Sequence, residues 1–199
     1  MPSYLAGLGT ALSLIVAIGA QNALVLRQGL LRQHVFTICL FCALSDAILI
    51  SAGVAGAGAI VKAHPFFLQL MRWGGAAFLI WYGFKSFRAA WEGGQSLHAA
   101  SQGTQTLKAA LLAVAAITWL NPHVYLDTVI LIGAVSAQAE SRMFFALGAI
   151  SGSFLFFFAL GYGARLLAPI FARPVAWRIL DVIVGLMMWT IAFGLIRNA

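Results

Sequence analysis

Ionised side chains are scarce in this sequence. Only 9% of its 199 residues are Asp, Glu, Lys or Arg, against about 25% in a typical soluble domain. With 62% hydrophobic residues, the chain cannot cover a globular surface with charge, which excludes a soluble fold. Acids are scarcest: Asp46, Glu92, Asp127, Glu140 and Asp181 stand against twelve Lys and Arg. The basic excess does not indicate nucleic acid, because residues strung singly between apolar runs cannot form the dense patch that phosphate contacts need. There are two cysteines, Cys39 and Cys42. Their spacing puts both on one face of an apolar helix, supplies at most half of a four-ligand zinc site, and offers no solvent access for redox work. Both read as packing residues, so no metal and no cofactor is expected. P-loop, H-E-x-x-H and G-x-S-x-G motifs are absent. No charged side chain precedes Arg27, so the first apolar stretch lacks the basic start of a signal peptide and reads as a retained membrane helix.

What the chain has instead is six apolar stretches, at about 4–26, 35–61, 66–84, 109–137, 143–167 and 179–196. A bilayer core of about 30 Å takes about 20 such residues as helix. The period-2 alternation of a membrane barrel is missing, and in lipid only helices then satisfy the backbone. The expected fold is an all-α integral membrane six-helix bundle. The loops after spans 1, 3 and 5 hold Arg27, Arg32, Lys85, Arg88, Lys108, Arg165, Arg173 and Arg178, and the other side holds Lys62, Arg142 and Arg197. The richer set belongs on the cytoplasmic side, which sends the C-terminus outside. The N-terminus is outside if the first stretch spans fully, and inside if it is a re-entrant hairpin.

A Gly/Ser/Gln-rich segment at 91–107 reads as a flexible cytoplasmic linker between two three-helix units, 1–90 and 108–199. The units share weak matches: Asn22 with Asn121, Ala43-Leu44-Ser45 with Ala149-Ile150-Ser151, and Gly74 and Gly83 with Gly185 and Gly194. An odd number of spans per unit turns the second copy upside down, the inverted repeat of many secondary transporters. Gly148-x-x-x-Gly152 and Ala52-x-x-x-Gly56 allow close helix contact, inside the bundle or across a homodimer interface.

Asp46 lies about 16 Å deep in span 2, and Asp127 is near the middle of span 4. A central Asp costs about 2.5–3.5 kcal/mol on insertion scales, so such residues mark an ion or substrate path. Asp181, about one turn inside span 6, has Arg178 at i−3 and reads as half of an interfacial ion pair, while Glu92 and Glu140 fall in loops. Within Trp119-Leu120-Asn121-Pro122-His123-Val124-Tyr125-Leu126-Asp127-Thr128, Pro122 frees backbone carbonyls inside the membrane and breaks span 4. A half-helix starting there presents its N-terminus to an anion, with Asn121 as cap. Gly19, Gln21 and Asn22 form a milder break in span 1. His123 is the one histidine within a span.

These residues resemble the LysE-type family of basic amino-acid exporters, most closely its L-arginine exporter branch. The resemblance rests on Gly19-Ala20-Gln21-Asn22-Ala23 with Arg27-Gln28-Gly29, on Ser45-Asp46 and its following glycines, on Trp73-Gly74-Gly75, and above all on the stretch from Trp119 to Asp127. It implies an inner-membrane carrier that expels L-arginine, with L-lysine or analogues such as canavanine as further cargo, and in which the aspartate pair matching Asp46 and Asp127 is required. The chain departs from the family pattern at Ala20, where relatives commonly carry proline, which bears on how sharply span 1 breaks. The expected mechanism is proton-coupled alternating access. Asp46 and Asp127 hold the side-chain cation and the coupling proton, while Gln21, Asn22, Asn121, Pro122, His123 and Tyr125 surround the α-carboxylate and α-amine. The rivals are an exporter of neutral amino acids and, more distantly, an integral-membrane enzyme; the depth of the acids speaks against the enzyme.

Overall fold

The computed structural model describes residues 1–16, 19–58, 65–92 and 106–197, and among these the regular structure is all helical. We number the helices α1 (Pro2–Ile15), α2 (Ala20–Leu31), α3 (Val35–Val54), α4 (Pro65–Glu92), α5 (Leu107–Trp119), α6 (Pro122–Ser136), α7 (Arg142–Gly163) and α8 (Pro174–Arg197). Short 3-10 turns, Ala164–Leu167 and Ile170–Ala172, join α7 to α8.

Local chemistry sets most of these ends. Thr106 and Ser141 cap α5 and α7 by accepting hydrogen bonds from the N–H groups of Ala109 and Phe144, at 3.3 and 3.4 Å. Arg32 takes the left-handed C-terminal position of α2, φ 55°, and its N–H reaches the carbonyls of Gln28 and Gly29. His34, φ 53°, then starts α3 two residues later. Non-glycine residues in this region cost about 1–2 kcal/mol each, so the tight α2–α3 turn is held by what packs around it.

Of the six expected spans, α3, α7 (with its 3-10 extension) and α8 are continuous helices long and apolar enough to cross a bilayer, and two more spans are bent pairs. α1 and α2 meet at 84°, and α5 and α6 at 59°. The break in span 1 is therefore the sharper one, with Ala20 and no proline at its start: Gly19 adopts an extended conformation, φ −122° and ψ 179°, and α2 starts directly after it. The third stretch lies inside α4, which has 28 residues. This helix runs past the expected end of the span, so Glu92 is helical and not in a loop, and it pairs with Arg88 at 2.7 Å. The rest of the expected linker, at 93–105, and the turn at 59–64 lie outside the described residues.

The helices pair closely: α1 on α7, α3 on α7, α4 on α8, and α3 against α6. α2 runs through the middle and touches α3, α5, α7 and α8. Small residues permit the tightest crossings. A Cβ on Gly148 would sit 2.0 Å from the carbonyl oxygen of Tyr4, and one on Gly7 2.0 Å from that of Phe145. The Gly148 motif is thus spent inside the chain, where two backbones touch. Cys39 and Cys42 are buried and unbridged, as packing residues should be. Leu44, Ile48, Leu155, Leu186 and Phe193 point outward from the bundle, the reverse of a soluble surface and the arrangement a lipid solvent calls for.

Candidate functional site

The two bends face one cavity of about 550 Å³. Its wall takes Gly19, Ala20, Gln21 and Asn22 from the start of α2, Asn121, His123, Asp127 and Thr128 from the second break, and Asp46 from α3. Six of the eight residues singled out from the sequence therefore meet in one space; Pro122 and Tyr125 stand behind the wall. α8 adds Thr190, Ile191 and Gly194, and α7 adds Phe157. The sequence held no sign of these beyond the glycine, because an ordinary apolar face gives no hint of which cavity it meets.

Hydrogen bonds from side chains hold the described residues on either side of each break. Pro122 has no N–H, and the N–H of His123 is taken by the cap oxygen of Asn121 at 3.1 Å. The carbonyl of Trp119, which an unbroken helix would pair with His123, accepts instead from the hydroxyl of Tyr125 at 2.9 Å. Tyr125 thus closes the break from behind. After the break, Tyr125–Leu131 is a π-helix, in which the N–H of Ile132 reaches the carbonyl of Asp127. The widened turn carries Asp127 itself, and such turns are frequent at functional sites. A Cβ on Gly53 of α3 would lie 2.6 Å from the carbonyl oxygen of Val129, so the π-turn rests directly on α3. The Trp119 indole donates to Ser45 at 3.2 Å and ties the end of α5 to the same helix. At the first bend, the side-chain amide of Asn22 donates to the carbonyl of Ile15 at 2.7 Å, closing the end of α1.

Asp46 is 4% exposed, and its Oδ2 accepts a 2.7 Å hydrogen bond from Ser153 of α7. Asp127 is open to the cavity. The Nε2 donor of Gln21 is buried without a hydrogen-bond partner among the described residues. Among the described residues lining the cavity are two carboxylates, amide groups and one imidazole, with no Lys or Arg. Such a wall is complementary to a cation that also carries hydrogen-bonding groups. The described residues contain no cluster of His, Cys, Asp or Glu that could hold a metal ion.

Asp181 departs from expectation. Arg178 is not its ion-pair partner among the described residues. Asp181 is 1% exposed, and its carboxylate lies 3.3 Å from Arg27 of α2. The buried Tyr82 of α4 stands beside the pair, within hydrogen-bonding reach of Arg27. The i−3 spacing made Arg178 available, but α8 turns Asp181 into the bundle, where only a partner from another helix can meet it.

Comparison with known proteins follows the same outline. The arginine exporter protein ArgO of Salmonella typhi and that of Salmonella typhimurium are each 44% identical to this chain over 197 residues, covering 98% of it and 93% of the relative. No solved structure matches the chain. A family model described as LysE type translocator matches residues 12–199. With nearly its whole length matched in this way, and with apolar helices that make it a multi-pass membrane protein, the chain belongs to the LysE type translocator family.

Proposed function

We propose that this protein exports L-arginine from the cytoplasm across the bacterial inner membrane, with L-lysine and analogues such as canavanine as further cargo. The observation that carries the reading is the cavity: two carboxylates from opposite halves of the chain, with no Lys or Arg among the described residues that line it. The relatives named as arginine exporters support it.

In this reading Asp46 and Asp127 hold the guanidinium. The side-chain amide of Gln21 and the backbone at the start of α6 meet the α-carboxylate, which the positive end of a half-helix favours. Moving a cation out against an inside-negative potential costs about 2.3 kcal/mol per charge per 100 mV. Proton entry offsets that cost when the same aspartate binds substrate and proton in turn. Alternating access follows from two inverted three-helix repeats, 1–90 and 108–199. Two features support this symmetry: the first span of each half is broken, and equivalent helices pack on each other, α3 on α7 and α4 on α8. The Lys/Arg distribution supports cytoplasmic loops after spans 1, 3 and 5 and an external C-terminus.

Counterflow of labelled arginine into vesicles containing the purified protein tests the assignment. Wild-type protein should accumulate arginine, accelerate with an opposing pH gradient, and be inhibited by unlabelled lysine far more than by threonine or leucine. Asp46→Asn and Asp127→Asn should each abolish counterflow while remaining folded in the membrane. Normal counterflow from both variants removes the carboxylates from the mechanism. Inhibition by leucine equal to that by lysine makes the protein a neutral amino-acid exporter.

A further inference from the structure

A second cavity, of about 410 Å³, lies where the end of α2, the start of α3 and the end of α7 meet, and it shares no residue with the central one. Arg32 and Arg165 both line it, together with Tyr162 and Phe36. Its floor is a contact between α2 and α7 so close that a Cβ on Gly29 would lie 2.2 Å from the carbonyl oxygen of Gly161. The left-handed conformation of Arg32 ends α2 at the cavity. Among the described residues no acid forms an ion pair with either arginine; the ion pairs there join Arg27 to Asp181 and Arg88 to Glu92.

An aromatic strip leads away from the arginines toward the middle of the membrane. On α7, Tyr162 stacks on Phe158 with centroids 6.1 Å apart, and Phe158 stacks on Phe154 at 6.4 Å. Phe36 of α3, 56% exposed, meets Phe158 edge-on at 5.7 Å. The stack spans eight residues of helix, about 12 Å, and runs from the charged end of the bundle into the depth of the hydrocarbon.

We infer that this cavity binds one anionic glycerophospholipid, its phosphodiester between Arg32 and Arg165 and an acyl chain along the Phe36–Phe158 strip. The two halves of the site demand one molecule that is anionic at one end and apolar at the other. A free phosphate would use the arginines and leave the strip idle. A zwitterionic lipid would bring an ammonium or choline group up to two guanidinium groups. Basic cavities between transmembrane helices are suited to acidic headgroups, each basic residue near the surface adding a modest and separable attraction. The lipid comes from the leaflet at the end of the bundle that also carries Arg27 and Arg178, so the inference does not depend on which cargo the central cavity takes.

Native mass spectrometry of the full-length protein, released from detergent micelles doped with either phosphatidylglycerol or phosphatidylcholine, reads this directly. One phosphatidylglycerol should be retained in preference to phosphatidylcholine. Arg32→Gln with Arg165→Gln should lower that retention about thirtyfold, and Arg165→Gln alone about fivefold; the single variant decides if the double one does not fold. Arg178→Gln, at the same end but outside the cavity, should leave retention unchanged. Inorganic phosphate should not displace the lipid. Equal retention of the two lipids, wild-type retention by the Arg32 and Arg165 variants, or displacement by phosphate would each overturn the inference.

Discussion

The hydroxyl of Tyr125 takes the place of the His123 N–H, which Asn121 has drawn away from the carbonyl of Trp119. Because Trp119 would otherwise present an unpaired carbonyl inside the membrane, Tyr125→Phe should lower thermal stability by about 1–3 kcal/mol. It should leave the arginine concentration for half-maximal counterflow unchanged, since Tyr125 does not line the cavity. A raised half-maximal concentration with normal melting would place Tyr125 on the substrate instead. Ser153 has the opposite character. Its hydroxyl holds the buried carboxylate of Asp46, which lines the cavity, at 2.7 Å. Hydrogen bonds to charged groups are worth about 1.5–3 kcal/mol. Ser153→Ala should therefore raise the half-maximal arginine concentration about tenfold or more while keeping the maximal rate, as concentration series of counterflow would show.

At the scale of the helices, contacts between backbones decide which substitutions matter. A side chain at Gly148 would have to occupy the position of the Tyr4 carbonyl, and no rotamer change relieves a clash with backbone. Gly148→Ala should sharply reduce the yield of folded protein, whereas Gly9→Ala, with nothing within 4 Å of the new Cβ, should be silent or add about 0.5–1 kcal/mol. Melting of the two purified variants separates them. The Arg27–Asp181 pair joins α2 to α8 and is offset from the cavity by about 8 Å along α2, measured from Asn22 at 1.5 Å per residue. Removing one partner strands a buried charge: Arg27→Met should cost about 3–5 kcal/mol, and Arg27→Met with Asp181→Leu should recover most of the loss. A single variant as stable as wild type would mean that water reaches the pair.

Across the whole molecule, the excess of arginine at one end sets an orientation that labelling can read. Cys39 and Cys42 are buried, so they contribute little background. In intact cells an impermeant maleimide should react with Arg142→Cys and spare Arg178→Cys; the reverse pattern would turn the protein over in the membrane.

Composition by itself determined that the chain lives in lipid, because hydropathy sums over residues and needs no knowledge of neighbours. Pro122 and Asn121 determined the second break for a similarly local reason: a missing N–H acts wherever the helix goes. The depths expected for Asp46 and Asp127 rest on counting along the chain. Only the tertiary structure decided what each helix face meets. It brought Ser153 to Asp46 from 107 positions away, gave Asp181 to Arg27 in preference to the nearer Arg178, and bent span 1 more sharply than span 4 without a proline. It also opened the π-turn that carries Asp127 against α3. These outcomes depend on the rotation of one helix about its axis relative to another, set by many weak packing contacts at once, and no single residue or short motif encodes that angle.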